Sequence, residues 1–459
     1  MKKIILSLTC SFSVAIGFAQ NEDSLFIRRI ADEILMNGKA YEDLRVLTKQ
    51  IGGRLSGSSQ MVKAEQWGLN TMQQAGAEKA WLQQCMVPHW VRGGKDEATA
   101  LFAGNGAKQP QAKKLDVLAL GNSVGSMKPL KADVVEVKSF DDLEARRDQV
   151  KGKIVFYNYK FNPTYVQTFQ AYGEASQYRG GGPSRAAKYG AVGVIVRSMS
   201  ESTDNIPHTG STRYVDSIAK IPAVAIGLQD ADWLSNQLKK GSASVTLLTW
   251  GKQLPDTIGH NVVAEIKGTE FPNEYITIGG HLDSWDPAEG AHDDGAGVVQ
   301  TIEVLRTFKA LGYKPKRTIR FVLFANEENG LRGGTKYAEE ATAKGEKHIF
   351  ALESDEGGFA PRGFGFTVSA RQFEKVQGWK NLIAPYGATE LAQGGGGADI
   401  GPLAKNQNTP LAGLHPESQR YFDYHHARND VFENVNKREL ELGAVNMASL
   451  VYLVDKYGL

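Results

Sequence analysis

Residues Tyr275 to Gly297 read YITIGGHLDSWDPAEGAHDDGAG, and this stretch decides the fold. Tyr275, Ile276 and Ile278 form a β-branched, apolar run of strand length, stopped by Gly279 and Gly280. His281 and Asp283 stand just past the carboxyl end of that strand, where open α/β sheets place their sites. Asp293 and Asp294 follow, and Val298, Ile302 and Leu305 then recur on one face of a predicted helix. A histidine with a carboxylate two residues on, then an acidic pair at a helix start, is an arrangement that bears chemistry. Imidazole and carboxylate together suit a borderline divalent metal such as zinc.

Outward from this stretch the pattern repeats. Asn261–Glu265 and Thr318–Phe324 read as further strands, and Lys437 to Lys456 as a long amphipathic helix packed on the core. Toward the amino end, Leu25, Ile27, Ile30, Ile34 and Leu35 mark one helix, and Tyr41, Leu44, Val46 and Leu47 a second. A loop of turn formers, Ile51 to Ser58, leads to a helix running to about Gln74 with Ser58 or Ser59 as its cap, and Trp81 to Trp90 reads as a strand. From Lys113 to Thr249 the texture changes. Short strands (115–120, 153–157, 192–196, 223–226, 244–248) alternate with glycine-rich turns and brief helices. Gly180 to Pro183 lacks the Lys-Ser/Thr ending of a phosphate loop and follows no strand, so it reads as a mobile loop. This middle module carries no acidic-histidine cluster and is expected to bind, cover or position, and to leave metal binding to the rest of the chain.

The 459 residues suffice for two or three domains, and 50 glycines imply many tight turns. Lysine plus arginine (53) nearly balances aspartate plus glutamate (51), which gives no footprint for a nucleic-acid partner. Residues 1–19 have the charged, apolar and small-x-small parts of a secretory signal; the apolar run is too short and too rich in Ser and Thr for a membrane anchor. The mature protein is thus expected to be secreted or periplasmic. Only Cys85 would remain, so no internal disulfide can form.

Three further pieces complete the constellation. The apolar run Phe321 to Ala325 leads to Glu327-Glu328, Ile349 to Leu352 leads through Glu353 to Asp355, and His425-His426 precedes Asp430. Each alone has a bland explanation: a solvated acidic pair, a helix cap, a packing pair in an aromatic loop. Their joint occurrence, mostly at strand ends, is hard to reach by chance.

GHLDSWD, DDGAG, EENG, ESD and HHARND resemble the motifs of the co-catalytic di-zinc aminopeptidase and glutamate carboxypeptidase family, most of all its plasma glutamate carboxypeptidase branch. The similarity spans essentially the whole mature chain. It implies an α/β, mixed-sheet zinc-exopeptidase core of the phosphorylase/hydrolase-like kind, formed by residues 20–112 and 250–459, with an inserted β-rich protease-associated domain at 113–249. Position by position, it implies two zinc ions per chain. His281 and Asp355 hold one, Glu328 and His426 the other, and Asp293 bridges both. Glu327 becomes the general base and acid, and Asp283 orients His281 through its second ring nitrogen. His292 is not a ligand by this mapping, His425 is the less secure of the tandem pair, and Asp399 sits in a loop near the substrate without an assigned role. The ligand count is chemically consistent: two metals sharing a carboxylate leave room for a water, and a carboxylate outside the ligand set is needed to take its proton.

The implied activity is that of an exported di-zinc exopeptidase acting on small peptides, above all dipeptides with free ends. The implied partners are the small peptide substrate and a second copy in a homodimer, with no membrane anchor once the signal is removed. An aminopeptidase for longer peptides, a one-metal glutaminyl cyclase and a non-catalytic receptor-like relative are the alternatives. The last should lack ligands, and here every expected ligand is present.

Overall fold

The computed structural model describes residues 22–104 and 111–459; the expected signal, residues 1–19, lies outside the described residues. The chain builds two eight-stranded sheets. In the first, the spatial order is Lys79–Val91, Lys252–Ile266, Arg317–Phe324, Phe271–His281, Lys347–Glu353, Leu411–Pro416, Pro361–Thr367 and Glu390–Gln393. The inner four, Arg317–Phe324 to Leu411–Pro416, run parallel, while antiparallel strands flank them. Parallel strands are covered on both faces, which explains their unbroken apolar runs. Phe321 and Leu323 belong to the core under Ala296–Ala310 and Lys437–Tyr457, whereas Val322 and Phe324 pack with Tyr337, Ala338 and Leu403 on the other face. Successive side chains point to opposite faces, so one strand feeds two cores.

The expected helices form. Ala296–Ala310 follows the acidic pair, and Lys437–Tyr457 closes the chain against the core. Ser58 caps Ser59–Gln74, its hydroxyl accepting from Met61 N–H at 3.1 Å. In the helix over 22–37, Ile27, Ile30 and Ile34 are buried, but Leu25 is 60% exposed and falls off the stripe.

The second sheet orders Gln111–Leu115, Glu97–Gly104, Gly241–Leu248, Leu130–Val137, Ile154–Tyr157, Gly193–Arg197, Ala223–Ile226 and Val117–Ala119. Its strands begin at Glu97, ahead of the texture change read at 113. Helices Thr168–Gly180 and Gly182–Lys188 cover one face and Leu228–Leu238 the other. The segment expected as a mobile loop at Gly180–Pro183 is instead the junction of two helices, with Pro183 in the first turn of the second, where its missing N–H costs nothing. The core under these helices takes in Phe359, Tyr421 and Phe422, so the second sheet packs directly on the segment that leads to His425 and His426.

Candidate metal centre

Strand register assembles the site. His281 is aligned with Phe324, and Gly279 with Glu353. Two residues past those pairs, three chains turn out of the sheet together and bring Asp283, Glu327-Glu328 and Asp355 to one edge. Asp293 enters from the turn Ala291–Gly295, whose peptide to Asp294 is cis. The two adjacent aspartates divide the work. Asp294 faces the backbone, accepting His281 N–H at 2.9 Å and Gly297 N–H at 2.9 Å, and so ties the strand end to the helix start. Gly280 must be glycine here, because a Cβ would lie 2.4 Å from the Asp294 carboxylate. Asp293 faces the cavity. Asp430 holds its main chain, accepting from His292 N–H at 2.7 Å and Asp293 N–H at 3.2 Å.

The Asp293 carboxylate stands between two groups. Its Oδ1 lies 3.2 Å from His281 Nε2, which is also 3.2 Å from Asp355 Oδ1. Its Oδ2 lies 3.2 Å from His426 Nε2, which is 3.0 Å from Glu328 Oε2. All five of the expected ligand side chains therefore meet. His425 is also close, 3.7 Å from Asp293 Oδ2 and stacked on His426 at 3.5 Å, so its imidazole borders the same group. Ligand atoms of His281, Asp293 and Asp355 lie within 4.8 Å of one another, as do those of Asp293, His425 and His426.

The electrostatics call for a cation. Burial raises Glu328 to about 7, with the Asp293 charge adding to it, and raises Asp355 above the usual carboxylate range. Burial would also raise Asp293, but His281 and His426 outweigh it and hold that carboxyl well below its ordinary value. Burial opposes charge on His281 as well, yet Asp355 and Asp293 push it well up. Asp293 Oδ2 and Glu328 Oε1 are buried without a hydrogen-bond donor. Such atoms are costly unless paired, and a divalent cation is the partner that His/Asp/Glu donors fit.

Asp283 meets the second ring nitrogen of His281, through its main chain rather than its carboxylate. His281 Nδ1 is 2.9 Å from the Asp283 main-chain carbonyl and 3.8 Å from its carboxylate. The carbonyl fixes the ring, and the carboxylate instead accepts Glu327 N–H at 3.0 Å. Glu327 lines the cavity, and burial together with Asp355, Glu328 and Asp283 raises its carboxyl well above the ordinary value. His292 is no ligand: Gly358 N–H donates to its Nδ1 at 3.1 Å, Nε2 meets Asn434 O at 3.2 Å, and Phe359 stacks on it at 4.1 Å.

Arg54 and the cavity arginines escape a reading of motifs, and Asp399 is named there without a role. Arg54, fully buried, donates to Leu282 O at 2.5 Å, Glu289 O at 2.7 Å and Gly290 O at 3.1 Å, pinning both ends of the loop that carries the site. Asp399 is buried with both carboxylate oxygens unpartnered, next to Glu353, whose carboxyl burial and Asp355 push up to about 8. The cavity above the centre has a volume of about 790 Å³, and Arg179, Arg185 and Arg213 of the second-sheet unit line it together with residues of the centre.

Comparison with known proteins gives the family. Residues 261–451 match peptidase family M28. Carboxypeptidase Q of Mus musculus is 36% identical over 418 residues, 91% of this chain and 85% of that one, and the Homo sapiens protein is 35% identical over the same spans. A peptidase M28 precursor from Shewanella amazonensis superposes with a TM-score of 0.88 at 32% identity, covering 95% of this chain and 97% of that one. A zinc aminopeptidase from Bacillus subtilis shares the fold, with a TM-score of 0.63 at 19% identity over 90% of this chain and 94% of that one. The chain belongs to peptidase family M28, and it is a zinc metallopeptidase.

Proposed function

We propose that this protein is an exported di-zinc exopeptidase that hydrolyses small peptides, above all dipeptides. The observation that carries the proposal is the placement of Asp293, one oxygen toward His281 and Asp355 and the other toward His426 and Glu328. His281, Asp355 and Asp293 would hold one zinc, and Glu328, His426 and Asp293 the other. Zinc in such a site supplies Lewis acidity toward a peptide carbonyl and lowers the pKa of water.

The chain's own groups do the rest. Glu327 lies outside the ligand set and in the cavity, and its raised pKa suits a group that takes a proton from the attacking water and returns it to the leaving amine. Asp283 holds the Glu327 main chain in place. Arg185 and Arg213 are exposed to the cavity with no ion-pair partner among the described residues, so they offer cations to a substrate's carboxylate end. The second-sheet unit is the protease-associated-like part, and it restricts substrate length by lining the cavity. Export rests on residues 1–19. Among the described residues no helix is long and apolar enough to cross a membrane.

A panel of dipeptides with free, amino-blocked and carboxyl-blocked ends, given to the zinc-loaded protein, tests the proposal. Cleavage confined to doubly free dipeptides and abolished by chelation is expected. Cleavage of carboxyl-blocked longer peptides would make the protein an aminopeptidase, and turnover in exhaustively metal-free protein would remove the mechanism.

A further inference from the structure

The stretch Pro207-His208-Thr209-Gly210 does more than cover the cavity. It belongs to the second-sheet unit, yet it touches His426 at three points. Thr209 N–H donates to the His426 carbonyl at 2.9 Å. The Thr209 carbonyl lies 3.3 Å from His426 Nδ1. Gly210, at φ +124°, lies so close that a Cβ there would stand 2.5 Å from His426 Nδ1 and 2.5 Å from the Arg179 guanidinium carbon. His426 itself has φ +60°, in the left-handed region that is uncommon for residues other than glycine.

Proton placement makes these contacts consequential. His426 Nε2 faces Asp293 and Glu328, and it can offer a lone pair there only if Nδ1 carries the proton. That proton needs an acceptor, and the Thr209 carbonyl supplies it. Arg179 reinforces the carbonyl: its Nη1 donates to Thr209 O at 3.3 Å and sits 3.4 Å from His426 Nδ1, while its Nη2 reaches the Tyr172 hydroxyl at 2.5 Å. Two donors thus converge on one oxygen with two lone pairs.

We infer that Thr209–Gly210 and Arg179 form a positioning clamp, built into the second-sheet unit, that sets the tautomer and backbone conformation of His426 and thereby the affinity of one of two zinc sites. The inference rests on the di-zinc proposal above and extends it: the second-sheet unit becomes a structural part of the metal centre, where the sequence had suggested independence. Thr209 acts through its main chain, so its neighbours must carry the test. Groups that orient a ligating histidine typically contribute about 10–100-fold to metal affinity.

The test measures zinc bound per chain, and the affinity of each site, by competition with a chelator, in wild type, Gly210→Ala, Arg179→Met and Arg179→Lys. Wild type is expected to hold two zincs. Gly210→Ala should keep one and lose the other, because its Cβ displaces the His426 ring and leaves His281 untouched. Arg179→Met should weaken the same site about 10-fold or more, and Arg179→Lys should recover most of the loss by donating to Thr209 O. An independent readout is a downfield imidazole N–H proton resonance in the zinc-loaded protein, present in wild type and absent in His426→Gln. Should Gly210→Ala fail to fold, Arg179→Met and its rescue by lysine decide the matter. Wild type with two zincs, alongside an Arg179→Met variant that holds both with unchanged affinity, would overturn the clamp alone. Wild type that takes up no zinc would remove the di-zinc proposal and the clamp with it.

Discussion

The Asp283 carboxylate accepts the main-chain N–H of Glu327 at 3.0 Å, linking the loops that leave two adjacent parallel strands. That bond fixes where Glu327 stands and so separates it from its neighbour. Glu328 turns to His426, while Glu327 is left free in the cavity. Glu327→Gln should therefore fold, keep its metal and lose about 10²–10⁴-fold in kcat with little change in substrate binding. Glu328→Gln should lower zinc occupancy first and activity as a consequence. Metal analysis beside steady-state kinetics checks both; loss of metal in the first and retention of metal and activity in the second would reverse the pair.

Arg54 is a second place where one residue does much. Arg54→Met leaves three carbonyls (Leu282, Glu289 and Gly290) without their donor and removes the cation between Asp430, Asp283 and Asp294. A cost of about 3–5 kcal/mol is expected, read as a fall in the denaturant midpoint. Zinc affinity should fall with it, because the loop that loses its anchor carries the Asp293 turn.

How much of this was legible in the sequence follows from range. His281, Glu327-Glu328 and Asp355 could be placed because each sits just past an apolar strand, and parallel sheets gather such ends along one edge. The division between Asp293 and Asp294 was hidden, since both are aspartates at a helix start and only the path of the turn decides which faces the cavity. Asp283 was found, but not the choice between its carbonyl and its carboxylate, which depends on rotamer rather than residue type. Arg54 and Thr209 act 228 and 217 residues from their partners, a separation no local pattern reports. The Glu97–Gly104 and Leu130–Val137 strands were missed because their polar and small residues give weak alternation.

Substrate charge gives the next expectation. Arg213→Gln and Arg185→Gln remove cations from the cavity wall and leave the metal residues untouched. For a dipeptide with a free carboxyl end, KM should rise about 10-fold or more, the scale of one charge-assisted hydrogen bond. The same variants should treat a carboxyl-amidated peptide as wild type does. Equal effects on both substrates would take the arginines out of carboxylate recognition.

His292 makes stability depend on pH. Burial pushes its imidazole down to about 4, below its ordinary 6.5, so the folded state binds that proton less readily than the unfolded chain. Stability from this group is therefore full above pH 6.5 and is lost as pH falls toward 4, by up to about 3 kcal/mol. The urea midpoint of the metal-free wild type, taken relative to that of His292→Phe, should fall as pH drops across that window, because the carboxylates raised by burial at the centre titrate in both proteins. A relative midpoint that rose on acidification would contradict the buried, neutral ring.

Asp293 would be shared by two zinc ions in the proposed centre, and anomalous diffraction at the zinc absorption edge from crystals of the zinc-loaded protein tests this most directly. Two peaks are expected. One should lie among His281, Asp355 and Asp293 Oδ1, and the other among His426, Glu328 and Asp293 Oδ2. A single peak, or two peaks of which only one touches Asp293, would contradict it.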